Sequence, residues 1–355
     1  MSSLHESAEE LEAPYDTLAR LVNAGRQVAM VKLAGDLGIF RSLVESKTPL
    51  SSSQLAKYSG KNAEPLLVAR IVRYLVANRF VSEVDCDRYV ARKATHALAD
   101  HQIEGALRFF HAVSNPSFQA LPDYLRETGY QNQTAGSALK KGLNAEQGLF
   151  PWLKQHPDIL GDFQNLMGMP RESNGWDVIP LDFSVTSKHQ GPMLVDIGGG
   201  TGQQARLLVE QHPELAGRVI VQDREETIKS APTAKGVQLM AHDFFGTQPV
   251  KGAKYYYLRA ILHNWDEHKA VQILANIVPA MSPDSLVLID EVVISQKGAH
   301  VWPAGLDLQM LTLFGGSERT GPQWDTLLDR AGLKPVEVKK YAPIMESCVV
   351  FAARK

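Results

Sequence analysis

Three residues of this chain could together do proton chemistry: His263, Glu291 and Glu318. An imidazole, with an ordinary pKa of about 6.5, takes up and releases a proton near neutral pH. A carboxylate partner fixes its tautomer and stabilises the imidazolium that forms. His263 lies in Leu258-Arg259-Ala260-Ile261-Leu262-His263-Asn264-Trp265-Asp266, which starts at the end of an expected strand. Glu291 follows Leu288-Ile289-Asp290 at another expected strand end. Glu318 sits in Gly315-Gly316-Ser317-Glu318-Arg319-Thr320, just past an apolar helix. Ligands of open α/β sheets bind beyond the carboxyl ends of strands. That placement sets His263 apart from the other histidines among the eleven, most of which read as packed or surface residues. The pairs His242-Asp243 and His263 with His268 lack a convincing ligand set, so no metal is expected.

The second chemical feature is Leu194-Val195-Asp196-Ile197-Gly198-Gly199-Gly200-Thr201-Gly202, a buried strand running into a glycine turn. Gly198, Gly200 and Gly202 let the backbone turn sharply and approach a ligand closely, because no Cβ intervenes. A dinucleotide fingerprint has its third glycine three residues after the second; Gln203 stands there. A pyrophosphate wants bare helix N-terminal amides, whereas the strand-end carboxylate of Asp196 suits a ligand with a cationic group. S-adenosylmethionine (SAM), with an ammonium, a sulfonium and no phosphate, fits. Asp223 closes the next expected strand, about 20 residues past the glycines, where a carboxylate can accept from both ribose hydroxyls.

A sheet must carry these residues. Strands are expected at 193–197, 218–222, 255–258 and 286–289, with a late pair near 334–339 and 347–352. Their alternation with helices predicts a doubly wound, mainly parallel α/β sheet of Rossmann-like type, the last two strands forming an antiparallel edge hairpin. Residues 1–110 read instead as mostly helical. A helix over 15–33 carries Leu18, Leu21, Val22, Val28 and Val31 at helical spacing; a capped start lies at 50–56, a longer helix at 63–77, and a hairpin at 80–84 and 88–91. That order is a winged-helix pattern. The apolar stripe of its first helix predicts a dimerisation surface and a homodimer. Residues 111–190 read as a helical connector contributing to a substrate pocket, and residues 191–355 as the SAM-binding catalytic domain. In the connector, Met167 and Trp176 read either as core or as the wall of a pocket for a flat apolar acceptor.

Composition narrows the partners. The 355 residues carry 37 basic and 39 acidic side chains, a net charge of -2. Residues 1–110 hold 14 Lys and Arg against 13 Asp and Glu, without the basic excess of a phosphate-binding face, so no nucleic-acid partner is expected. No apolar run is long enough to span a bilayer, and no membrane association is expected. Two distant cysteines, Cys86 and Cys348, and an acidic N-terminus point to a reducing, cytoplasmic setting.

The glycine turn, Asp223, His242-Asp243-Phe244-Phe245, the 258–265 run, Glu291 and the 315–320 segment resemble the plant- and fungal-type O-methyltransferases, the caffeate/flavonoid family. The likeness extends to that family's winged-helix dimerisation domain and so covers nearly the whole chain. It implies a class I methyltransferase fold, SAM as co-substrate and a small-molecule acceptor with a hydroxyl. It also implies that His263 deprotonates the acceptor, flanked by Glu291 and Glu318. Asp196, Gly198 and Gly200 would border the methionine portion, Asp223 the ribose, and Asp243 with Phe244 the adenine. Arg259 stands where the family commonly has Lys. Met310 and Met167 match methionines that sandwich the acceptor in plant members. Asn264 departs from the family's usual Asp after the histidine. Two alternatives remain beside this reading: a SAM-binding relative that catalyses pericyclic ring closure without methylating, and a winged-helix regulator.

Overall fold

The computed structural model describes residues 13–132, 136–167, 169, 175–179, 189, 191–233 and 235–355. The chain divides into two compact units, residues 1–116 with 150–170, and residues 117–149 with 171–355.

In the first unit the helices Pro14–Asp36, Ile39–Glu45, Ser52–Tyr58 and Pro65–Ala77 lead into an antiparallel hairpin, β1 (Val81–Asp85) and β2 (Arg88–Ala91). The expected capped start is a capping box: Ser51 Oγ accepts from the Gln54 amide, and Gln54 Oε1 accepts from the Ser51 amide. Ile39, Phe40, Leu43, Val68, Ile71, Val72 and Leu75 form its core. The first turns of Pro14–Asp36 do not join that core. Tyr15, Leu18, Leu21 and Val22 are all exposed there. Helices His101–Phe109 and Pro157–Met167 of the same unit pack together, tied by Arg108, which donates to Asp162 at 2.6–3.1 Å.

The second unit is built on an eight-stranded sheet: β3 (Leu194–Ile197), β4 (Val219–Asp223), β5 (Val237–Ala241), β6 (Tyr255–Arg259), β7 (Leu286–Ile294), β8 (Arg319–Thr320), β9 (Leu333–Ala342) and β10 (Ser347–Arg354). The order is β5-β4-β3-β6-β7-β10-β9, with β8 beside the end of β7. β3 to β7 pair in parallel, and β10 and β9 close one edge antiparallel. This is the mainly parallel doubly wound sheet expected. Both faces are covered, as parallel strands require. Val195, Ile197, Tyr256 and Leu258 point to one face, under Ile273, Leu274, Trp324 and Leu327 of two helices. Leu194, Val219, Tyr255 and Tyr257 point to the other, under Ala205 and Leu208 of helix Gln203–Gln211.

Three elements differ from expectation. β5, an edge strand with only partial burial, carries too weak an apolar pattern to be recognised from Val237-Gln238-Leu239-Met240-Ala241. β8 is two residues long. β7 continues five residues past Ile289, so Glu291 lies within a strand opposite Cys348 rather than beyond its end. Asp290 and Glu291 interrupt the apolar run, yet β7 absorbs both: two tyrosine hydroxyls donate to Asp290, and two backbone amides donate to Glu291 Oε1.

Candidate active site

Strand order reverses between the parallel neighbours β3 and β6: the chain moves outward from β3 to β4 and β5 on one side, and from β6 to β7 on the other. The carboxyl ends of these strands therefore open the crevice in which such sheets bind ligands. Asp196 lies in β3, Asp223 ends β4, Arg259 ends β6, and the base candidate follows β6 in the short 3-10 turn Leu262–Asn264.

The turn after β3 is shaped by glycine. Gly198, Gly200 and Gly202 take φ of 71°, 61° and 81°, in the left-handed region that side chains disfavour. The Gly200 amide donates to Asp223 Oδ2 at 2.9 Å. It is thus spent on a carboxylate instead of being free for a phosphate. The His242 amide bonds the Asp223 carbonyl at 2.9 Å, which brings Asp243 and Phe244 beside Asp223. A Cβ at Gly198 would come 3.6 Å from the Phe244 ring. Asp196 is almost fully buried, and its Oδ2 has no hydrogen-bond partner among the described residues. Burial pushes its carboxyl up to about 7; Arg259 opposes this, while Asp223 and Asp290 reinforce it. A buried acceptor without a donor, next to a second carboxylate at the mouth of the turn, suits an ammonium and a pair of ribose hydroxyls. The residues fit SAM.

Arg259 is held from below. Its Nε lies 3.3 Å from Asp290 Oδ2. Asp290 also accepts from the hydroxyls of Tyr257 and Tyr341, each at 2.6 Å. Trp176 belongs to this layer: its buried ring packs against Tyr257 with centroids 4.5 Å apart and the planes tilted by 34°. Of the two readings of Trp176, core residue and pocket wall, the burial and the contact with Tyr257 are what the core reading requires. Met310 is buried on helix Val301–Phe314, which packs on the turn carrying His263. Met167 ends helix Pro157–Met167 of the other unit, with its side chain exposed there.

The histidine–carboxylate set is assembled as the residue types suggested, with unequal partners. His263 Nδ1 lies 2.8 Å from Glu318 Oε1 and 3.5 Å from Glu291 Oε2. Glu318 is thus the direct partner. Glu291 spends Oε1 on the Ile261 and Leu262 amides, at 2.9 and 2.8 Å, and anchors the turn. With Nδ1–H donating to Glu318, the lone pair is on Nε2. Burial alone would push the imidazole pKa down, but Glu291 and Glu318 together outweigh it and lift it to about 9, with Arg319 pulling the other way. One imidazole nitrogen and one oxygen of each carboxylate lie within 4.8 Å of one another, and the Nδ1–Oε1 spacing is that of a direct hydrogen bond.

Sequence reasoning passed over Asp290 and Arg319. Two adjacent acids inside the apolar run Leu286-Val287-Leu288-Ile289-Asp290-Glu291-Val292-Val293 were the available signal: a buried strand carries charges only where they are bonded. Arg319 had none beyond its place next to Glu318.

Comparison with known proteins agrees with this chemistry. Residues 163–334 match the family model of an O-methyltransferase domain. The demethylsterigmatocystin 6-O-methyltransferase of Aspergillus flavus is 38% identical over 346 residues, covering 96% of this chain and 89% of that protein. The solved structure of LepI in complex with SAM superposes with a TM-score of 0.89 at 33% identity, covering 98% of this chain and 91% of that one. A structure described as a pericyclic reaction enzyme matches with the same TM-score, 0.89, at 33% identity and with coverage of 98% and 91%.

Proposed function

The chain belongs to the family of SAM-dependent O-methyltransferases, and we propose that His263 is the base that takes the proton from the acceptor hydroxyl. SAM supplies an electrophilic methyl group on a positively charged sulfur. The protein must hold the acceptor oxygen in line with that methyl and remove its proton; a phenol resembles Tyr, with a pKa of about 10. A positioned base contributes typically ~10²–10⁴-fold, and alignment in a closed site supplies much of the rest. The observation that carries this reading is the 2.8 Å bond between His263 Nδ1 and Glu318, which leaves Nε2 to face the acceptor.

The remaining residues take supporting roles. Asp196 and the turn Gly198 to Gly202 would receive the methionine portion of SAM. Asp223 would bind the ribose, Asp243 and Phe244 the adenine, and Arg259 the cofactor side of the crevice. Met310 would form one wall for an aromatic or enolic acceptor of the secondary-metabolite type. A base must be neutral, whereas the two carboxylates favour the imidazolium. A cationic co-substrate in the same unit favours the neutral form, so co-substrate charge and base activation act in the same direction.

The same reading makes the protein a homodimer through the exposed stripe Tyr15, Leu18, Leu21 and Val22. Both cysteines are free thiols, Cys86 exposed and Cys348 buried, which supports a cytoplasmic setting. Among the described residues no helix is long and apolar enough to cross a membrane.

A second reading, ring closure without methyl transfer, is favoured by the likeness to the structure described as a pericyclic reaction enzyme. Turnover of a phenolic acceptor panel with methyl-labelled SAM separates the two. Methyl transfer requires S-adenosylhomocysteine in step with product, and ring closure gives none. The His263→Ala enzyme should lose about 10²–10⁴-fold in kcat while binding SAM nearly as the wild type does. Near wild-type methylation in that variant would sink the base assignment.

A further inference from the structure

The turn that carries His263 has hydrogen bonds of its own and is braced further by groups from elsewhere in the chain. Ala260, at its start, has φ +52°, a left-handed conformation that a non-glycine residue adopts only when its surroundings impose it. Glu291 of β7 accepts the Ile261 and Leu262 amides. The Ser317 amide bonds the His263 carbonyl at 3.0 Å. Gly316 approaches that carbonyl so closely that a Cβ would collide with it. Arg319 completes the set. Its Nη1 donates to the Leu262 carbonyl and its Nη2 to the Trp265 carbonyl, each at 2.9 Å.

Arg319 is 2% exposed, an extreme burial for a guanidinium. Its Nε faces Glu267 at 3.8 Å, and its fork lies 5.4 Å from the Trp324 ring centroid. It is also the residue after Glu318, so one short backbone segment carries both the partner of the imidazole and the clamp on the imidazole's own turn. We propose that Arg319 is a positioning residue for the base: its fork fixes the 262–265 turn at the separation from Glu318 that the Nδ1 bond requires, and its charge offsets the two carboxylates at the imidazole. This inference rests on His263 acting as the base.

The charged groups around the site all bear on this role. Glu291 reaches the imidazole from β7 and Glu318 from the segment before β8. Asp307, on helix Val301–Phe314, accepts from the Glu318 amide at 2.8 Å. Glu267 and Asp266 face the guanidinium. With the guanidinium removed, His263 faces carboxylates alone and keeps its proton to higher pH. A lysine restores the charge but not the planar fork that spans two carbonyls.

The test is NMR of protein labelled at histidine 13Cε1, in complex with S-adenosylhomocysteine, with the His263→Asn variant assigning the signal. In Arg319→Gln the His263 titration midpoint should rise by about one pH unit, a tenfold gain in proton affinity. In Arg319→Lys the midpoint should stay at the wild-type value, while the downfield Hδ1 resonance of the His263–Glu318 bond is lost or broadened. An unmoved or lowered midpoint in Arg319→Gln overturns the electrostatic part. A wild-type Hδ1 resonance in Arg319→Lys overturns the clamp. If Arg319→Gln does not fold, the Hδ1 reading of Arg319→Lys carries the test alone. These readouts do not depend on turnover, so they can fail while the base assignment stands, and the converse.

Discussion

Asn264 donates from Nδ2 to the carbonyl oxygen of Ala260 at 3.2 Å. The bond closes the turn from Ala260, with its strained φ, to Asn264 and so spans His263. An ionised aspartate, the residue the resembling family usually has there, offers only acceptors and cannot make this bond. The departure from the family pattern is therefore built into the local fold of this chain. Asn264→Asp should lose about 0.5–1.5 kcal/mol of stability, the usual net worth of one hydrogen bond. Denaturant titration at pH 7 checks it; an unchanged midpoint would mean that Ala260 is held without the amide.

The two glutamates should shift the pH profile in the same direction and differ in depth. Each negative charge raises the His263 pKa, so removing either one lowers it. In Glu318→Gln and in Glu291→Gln the acidic limb of kcat, measured at saturating SAM and acceptor, should move to lower pH. The plateau should fall further in Glu318→Gln, because Glu318 holds Nδ1 directly whereas a glutamine at 291 still accepts the Ile261 and Leu262 amides. A limb that moves to higher pH in either variant would contradict the electrostatic account of the imidazole.

Asp196 should trade stability for binding. Its pKa rises from 3.8 unfolded to about 7 folded, with burial the main cause. Between those values the folded state binds more protons than the unfolded one, so wild-type stability falls as pH rises through this window and stays lowered above it. Asparagine does not titrate. The melting temperature of Asp196→Asn relative to wild type should therefore climb between pH 4 and pH 8, while calorimetry at pH 8 shows weaker SAM binding. A difference in melting temperature that stays flat with pH would show that Asp196 folds without this burial penalty.

Much of the second unit was legible from local pattern. Val195 and Ile197 running into Gly198, Gly200 and Gly202 specify a buried strand and a tight turn, because β-branched residues and bare glycines each favour one backbone geometry. The distance from the glycines to Asp223, and the run from Leu258 to His263, pointed to neighbouring strand ends, where Asp223 closes β4 and His263 follows β6. Residue type alone also nominated Glu291 and Glu318, though not their division of labour.

Division of labour is a matter of distance, and distance belongs to the tertiary fold. Glu291 and Glu318 are equivalent as letters. They differ because β7 extends past Ile289 and aims one at backbone amides, while the segment leading into β8 carries the other to 2.8 Å from Nδ1. The contact of Trp176 with Tyr257, and those of Asp290 with Tyr257 and Tyr341, join residues far apart in the chain and follow from no local pattern. Arg319 reads as an ordinary surface cation until packing buries it against carbonyls from a turn more than fifty residues away in sequence. Sequence periodicity reports which face of a strand or helix is apolar, and that determined the sheet, the glycine turn and the chemistry available. Buried polar groups follow no period. Their partners are set by which strands the fold brings side by side, and only the tertiary structure decided how the imidazole of His263 is held.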